Sequence, residues 1–61
     1  PDLSNNERMM CAYLKMNLST KEIAPLLNIS VRGVETIRYR LRKKFGLERE
    51  DSLTDYLSNY L

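Results

Sequence analysis

The stretch of sequence that decides the fold covers residues 19–45 and reads STKEIAPLLNISVRGVETIRYRLRKKF. Ser19 is followed three residues later by Glu22, a capping box that is typical of a helix start. Ser30 is a second predicted helix cap, and apolar residues recur at helical spacing after both caps. Only residues 28–30 separate the two helical patterns. A short helix, a tight turn and a longer helix predict a helix-turn-helix.

One further helix is predicted on each side of this stretch. Ser4 and Glu7 form another capping box, and Asn17 ends that first helix, since asparagine tolerates the left-handed conformation found at many helix ends. The acidic segment 48–52 precedes the fourth helix, because acidic residues are favoured at helix N-termini. Period-two alternation is absent. The predicted fold class is therefore all-α, a single four-helix domain over residues 1–61 that contains a helix-turn-helix.

Proline and glycine modify the two central helices. Pro25 lies inside the second helix and removes a backbone donor, so that helix is predicted to be short or kinked. Gly46 is the predicted end of the third helix. Gly33 falls in the first turn of the third helix, where the missing Cβ permits close approach by another backbone or a ligand.

The composition excludes several classes of protein. With no histidine and one cysteine among 61 residues, the chain lacks the ligands of a structural zinc site, an internal disulfide and a paired catalytic nucleophile. The lone Cys11 is predicted to be a small core residue. No apolar run is long enough for a membrane span. We therefore expect no enzyme, no metal, no cofactor and no membrane contact by this domain, and a cytoplasmic location.

Charge is concentrated in one segment of the chain. Residues 31–45 carry six basic residues and one acidic residue, a net charge of +5, whereas the other residues sum to −3. Such a segment favours a polyanionic partner, and the alternative is a solvated helix face.

The third helix, predicted over residues 31–45, has two different faces. Its apolar residues fall in one arc: Val34, Ile37, Leu41 and Phe45. The opposite arc holds Arg32, Thr36, Tyr39 and Lys43. A helix with its side chains is about 10–12 Å across, which fits the major groove of DNA. The sequence therefore predicts binding to duplex DNA. An ordinary helical hairpin and a basic-helix protein-interaction module are the alternatives.

These residues resemble the LuxR-type (GerE-type) helix-turn-helix domain of bacterial transcription regulators. The resemblance rests on Leu3-Ser4 with Glu7, Leu18 to Ala24, Leu27 to Ser30, Val34-Glu35, and Leu41 to Leu47. Region four of sigma factors, a promoter-binding domain, has a similar pattern and is an alternative. The resemblance implies sequence-specific DNA binding in transcription regulation. Together with the start at Pro1, it implies the C-terminal fragment of a larger regulator, such as a response regulator.

The resemblance also implies roles for individual residues. The third helix is expected in the major groove, with base contacts from Glu35, Thr36 and Tyr39. Phosphate contacts are expected from Thr20, Lys21, Ser30, Arg32, Arg40 and Lys43. The fourth helix commonly forms a dimer interface in the family, which here includes Tyr56, Asn59 and Tyr60. The expected partners are double-stranded DNA, a second copy of the chain on DNA, and RNA polymerase.

Two departures from the family pattern lie in the third helix. Glu35 stands where many members have a DNA-contacting cation. A carboxylate accepts from the cytosine amino group but repels phosphate, and the alternative is an ion pair with Arg32 or Arg38. Ile37 replaces a histidine and extends the apolar face.

A third departure concerns the start of the fourth helix. The family often has an arginine there that pairs with the glutamate of the first helix. Here Glu50 occupies about that place and Arg49 is one residue earlier, so a Glu7–Arg49 pair is one predicted arrangement.

The cations and contact residues of the third helix also have structural alternatives. Tyr39 could pack over neighbouring arginine stems, and Thr36 could be a tolerated surface residue. Arg38 lies at the margin of the apolar arc, which favours a structural or peripheral phosphate role over base contact. Arg42 and Lys44 could be solvated charges.

Overall fold

The computed structural model describes residues 2–60 and, within them, every side chain except that of Tyr60. Four α-helices follow one another along the chain: α1 (Asn5–Lys15), α2 (Thr20–Leu27), α3 (Val31–Phe45) and α4 (Leu53–Tyr60). No strand occurs in this described part. The predicted all-α fold with four helices is confirmed, and α3 has the bounds that its cap and apolar spacing predict.

Each helix begins after a serine whose hydroxyl accepts a hydrogen bond from the backbone N–H three residues later. These bonds measure 3.3 Å at Ser4, 3.2 Å at Ser19, 3.0 Å at Ser30 and 3.1 Å at Ser52. In α1 and α2 the box is complete, because a glutamate side chain accepts from the serine N–H at 2.8 and 2.7 Å. The caps satisfy donors that helix geometry leaves without a partner.

The first three helices are closed by a residue in the left-handed conformation. The φ angles are 63° at Asn17, 57° at Asn28 and 69° at Gly46. In each case the next N–H donates to the carbonyl five residues before it, at 3.1, 3.0 and 2.9 Å. The residue that makes this bond is apolar and packs against the core: Leu18, Ile29 and Leu47. These closures give the tight turn between α2 and α3 that the sequence predicts.

The core lies between α1 and the other helices. α1 contacts all three of them, and α2 packs on α3. The largest fully buried side chains are Met10, Leu14, Ile23, Val34, Leu41 and Leu53. Burying a large apolar side chain contributes about 1.5–3 kcal/mol. α3 therefore presents one face to the core and leaves the opposite face open.

Pro25 and Cys11, which stand out in the sequence, both have defined places in the fold. Pro25 is part of α2, which is short, at eight residues, and ends where Asn28 adopts the left-handed conformation. Cys11 is half-buried against the core, and burial raises the pKa of its thiol.

Glu7 has a different partner from the predicted Arg49. Its Oε1 accepts from Lys44 Nζ at 2.7 Å, and the same ammonium donates to the Asp2 carbonyl at 3.0 Å. Glu7 is only 5% exposed. The Lys44 hydrogen bond first, and the Ser4 N–H second, hold the pKa of the Glu7 carboxyl below its ordinary value. Lys44 is therefore a cross-link between the last turn of α3 and the first turn of α1, and its interpretation as a solvated charge was wrong.

Arg42 also has a structural role that its spacing did not predict. Its Nη1 donates to the carbonyl of Glu48 at 3.5 Å and to the carbonyl of Asp51 at a shorter distance. The Asp51 carboxylate in turn accepts from the Glu48 N–H at 2.9 Å. Arg42 thus ties α3 to the turn that precedes α4.

Candidate nucleic-acid interface

The open face of α3 carries five exposed side chains, which we call the exposed strip: Arg32, Glu35, Thr36, Tyr39 and Lys43. The first four of these line one surface depression together with Val31. The three predicted base-contact residues are therefore side by side. They share this depression with Arg32, one of the predicted phosphate contacts.

The N-terminal turn of α3 lies at one end of this strip and carries no acidic residue. Glu7 and Glu22 occupy the third helical position of α1 and α2, where α3 has Gly33. A Cβ built on Gly33 would lie 3.4 Å from Ile29 and from Ser30 Oγ, which is van der Waals contact. The packing of the fold therefore does not require a glycine. The partial positive charge of this helix end has no carboxylate from its own first turn beside it.

Thr36 makes one hydrogen bond within its own helix. Its Oγ1 donates to the Arg32 carbonyl at 3.1 Å. The hydroxyl proton is thereby used, so the oxygen that faces outward serves as an acceptor. Thr36 thus offers a ligand one acceptor and one methyl group.

Tyr39 and Lys43 form a pair at the C-terminal end of the strip. The Lys43 ammonium lies 5.2 Å from the centroid of the Tyr39 ring, which is cation–π distance. Tyr39 is 59% exposed, so most of its ring remains open to a partner. In the structure the cation beside the Tyr39 ring is Lys43, whereas the sequence suggested the side chains of neighbouring arginines.

Glu35 lies where the exposed strip meets a second depression. Among the residues that the structure describes, it forms no ion pair with Arg32 or Arg38. Burial first, and the Arg42 charge second, lower the pKa of the Arg38 guanidinium. The Glu35 charge raises this pKa, but these two larger effects oppose it.

The six predicted phosphate contacts are divided between two helices. Five of them are exposed, and Thr20 is half-buried. Ser30, Arg32, Arg40 and Lys43 belong to α3 or its cap, and Thr20 and Lys21 form the first turn of α2. Glu22 accepts from the Ser19 N–H at that turn, so α2 already has a carboxylate at its N-terminus. The two helix starts therefore differ in how open they are to an anion.

The residues that line the second depression were not predicted from the sequence to lie together. It is lined by Glu35, Arg38, Tyr39, Arg42, Lys43, Leu47 and Arg49. The spacing of Arg38 and Arg42 was a visible clue, because residues four apart lie on the same side of a helix. Arg49 joins them from the loop after α3, which spacing along a helix does not predict.

The predicted dimer residues of α4 have unequal surroundings. Tyr56 is half-buried and its ring centroid lies 5.0 Å from that of Phe45. Asn59 is exposed. The side chain of Tyr60 lies outside the described residues. Part of Tyr56 is therefore used in packing α4 on α3.

The described residues contain neither of two other kinds of site. No group of three or more cysteine, aspartate or glutamate side chains is placed to hold a metal ion. None of the helices there has the length and apolar character to cross a membrane.

Comparison with known proteins assigns the family. The family model for bacterial regulatory proteins of the luxR family (GerE) matches residues 1–57. Neither the curated proteins nor the solved structures gave a match. Because the family match covers α1, α2 and α3 and extends into α4, the chain belongs to the luxR family of bacterial regulatory proteins, a family of DNA-binding domains that regulate transcription.

Proposed function

We propose that the chain binds specific sequences of duplex DNA by inserting α3 into the major groove. One observation carries this proposal. The exposed strip brings Glu35, Thr36 and Tyr39 together beside a helix N-terminus without acidic residues. This surface belongs to the segment with a net charge of +5. A helix with its side chains is about as wide as the major groove, so this face meets base edges while its margins meet phosphates.

The three side chains proposed for base contact differ in chemistry. Thr36 presents an acceptor and a methyl group, which suit an exocyclic amino group or a thymine methyl. The Glu35 carboxylate accepts from the cytosine amino group. Tyr39 adds an aromatic ring and a hydroxyl. Together they favour sites with cytosine or adenine amino groups in the groove.

The proposed phosphate contacts surround this strip. Ser30 and Arg32 stand at the open N-terminus of α3, where backbone N–H groups favour an anion. Arg40 and Lys43 lie farther along α3, and Thr20 and Lys21 lie at the start of α2. These contacts fix the orientation of the helix and carry no sequence information themselves.

We further propose that two copies bind neighbouring half-sites through α4. One recognition helix covers few base pairs, and half-sites about 34 Å apart, one helical turn, suit a symmetric pair. The exposed Asn59, the outer part of Tyr56, and Tyr60 are the proposed contacts. On this proposal the chain is the effector domain of a larger bacterial regulator, such as a response regulator. It acts in the cytoplasm and contacts RNA polymerase at the promoter.

Selection of bound duplexes from a random pool, followed by a salt titration, tests the proposal. We expect an enriched motif, and log K should fall linearly with log salt with a slope of about −0.9 for each phosphate contacted. Enrichment of sites that bind only together with RNA polymerase would favour a sigma-like domain. Absence of binding to any duplex at low salt would favour an acidic protein partner and contradict the proposal.

A further inference from the structure

The second depression brings together cations from α3 and from the loop that follows it. Arg38, Arg42 and Lys43 come from the second half of α3, and Arg49 comes from the loop before α4. Among the described residues, Glu35 is the one carboxylate that lines it. The depression is therefore electropositive as a whole, and it lies between α3 and the loop that leads to α4.

Arg42 gives this loop a defined position. Its guanidinium donates to the carbonyls of Glu48 and Asp51, the residues on either side of the turn that contains Arg49. The Asp51 carboxylate closes the same turn by accepting from the Glu48 N–H at 2.9 Å. Arg49 is exposed and forms no ion pair with any residue that the structure describes. Its backbone is thus held by the turn, while its charge is available to a partner.

Arg38 and Arg42 also create an unfavourable interaction. They are four residues apart on one helix, and like charges at this spacing repel each other. Arg38 is half-buried and forms no ion pair with a described residue. An anion bound beside Arg38 in the depression would offset the repulsion between Arg38 and Arg42.

The depression borders the exposed strip along one side. Glu35 and Tyr39 line both depressions, and Lys43 belongs to the strip and to the second depression. Arg40 lines neither of the two. A helix in the major groove has a phosphate backbone on each side of it. Leu47 and Arg49 of the α3–α4 loop line the second depression, so with α3 in the groove it faces the backbone on the side of that loop.

We propose that Arg38, Lys43 and Arg49 bind one DNA backbone phosphate in this depression, and that Arg42 is the positioning residue that holds the Arg49 turn. The inference rests on the proposed function, because it requires α3 to occupy the groove. It adds Arg38 and Arg49 to the DNA-binding surface. It also assigns to the α3–α4 loop a role in contacting DNA.

Arg49→Gln tests the phosphate contact. Removing one contact should weaken binding to every duplex by about five- to tenfold at 0.1 M salt and lower the salt slope by about 1. Lys15→Gln, at the exposed end of α1 and not among the residues that line either depression, is the matched control and should leave both values unchanged. An Arg49→Gln variant with wild-type affinity and slope would overturn the inference, as would a change in the preferred sequence.

Arg42→Lys tests the positioning role. Lysine keeps the charge but lacks the planar guanidinium whose Nη1 donates to both carbonyls. We expect Arg42→Lys to lower the salt slope as Arg49→Gln does, and the double variant to lose no more than either single variant. Additive losses would contradict positioning. If the unmodified chain itself binds no duplex, the proposed function fails. If it binds and Arg49→Gln behaves as the wild type, only this inference fails.

Discussion

The first turns of α1 and α3 share a serine cap and differ in whether the third helical residue is acidic. Ser4 and Ser30 both accept from the N–H of the third helical residue, at 3.3 and 3.0 Å. In α1 that residue is Glu7, which is buried under Lys44. In α3 it is Gly33, which offers no side chain.

This difference separates a structural helix start from one that is open to a partner. Glu7 neutralises its own helix end and joins it to the last turn of α3. The start of α3 has no such carboxylate and has Arg32 beside it. The serine caps are alike, so the charge in the first turn indicates which helix end is suited to an anion. α2 resembles α1 in this respect, because Glu22 completes its capping box.

The largest expected effect comes from removing the carboxylate of α1. Glu7→Ala should lower the free energy of unfolding by about 2–3 kcal/mol, because it removes a charge-assisted hydrogen bond and half of a capping box. Glu22→Ala is the matched control, since its box is exposed and has no lysine partner. That variant should lose about 1 kcal/mol or less. Equal losses in urea denaturation would show that the Lys44 contact adds nothing.

Acid titration tests whether Lys44 and the Ser4 N–H hold the Glu7 carboxylate. The pKa of Glu7 is lowered by Lys44 first and by the Ser4 N–H second. Its contribution to stability is therefore complete above the ordinary value of 4.5 and is lost as pH falls through the lowered folded-state value. Glu7→Gln should flatten this part of the acid limb in thermal unfolding. An unchanged acid limb would mean that the carboxylate is not held by these contacts.

Placing the missing carboxylate on α3 tests the other half of the comparison. Gly33→Glu completes the capping box that α1 and α2 possess, and should weaken DNA binding by tenfold or more, about 1.4 kcal/mol, because two negative charges then face each other. Gly33→Gln also completes the box but is neutral. It should bind more tightly than Gly33→Glu at low salt. Equal affinity of the two variants in a binding titration would contradict an anion at this helix end.

Farther along α3, Tyr39 and Arg40 are both exposed but have different proposed contacts, a base and a phosphate. Tyr39→Ala should change which sequences are preferred, with about 1 kcal/mol or more at single base pairs. Arg40→Ala should weaken all sequences alike and reduce the salt slope by about 1. Both variants are measured on the same set of duplexes. Uniform weakening by both would remove Tyr39 from the base contacts.

The smallest expected effect is again at Gly33. A Cβ there meets its neighbours at 3.4 Å and the backbone is helical, so Gly33→Ala should stabilise the fold by about 0.5–1 kcal/mol. Urea denaturation measures the change. A loss of stability would show that the fold itself needs glycine at this position.

Local features were predictable and long-range partners were not. Some features depend only on residues three to five positions apart, and these can be predicted from the local sequence: the serine caps, the ends at Asn28 and Gly46, and the bounds of α3. Lys44 meets Glu7 across 37 positions, and only the packing angle of α3 on α1 decides that contact. The exposed strip was predictable from helical spacing. The second depression was not, because Arg49 reaches it from a loop.

The exposed strip and the open start of α3 are the surfaces that we propose contact DNA. The most direct test of this proposal is a map of NMR chemical-shift changes when the chain binds a duplex obtained by selection. We predict the largest changes at the amides of Val31 and Arg32 and at the side chains of Thr36 and Tyr39, with little change along the outer face of α1. Large changes on α1 with an unaffected strip would contradict the account.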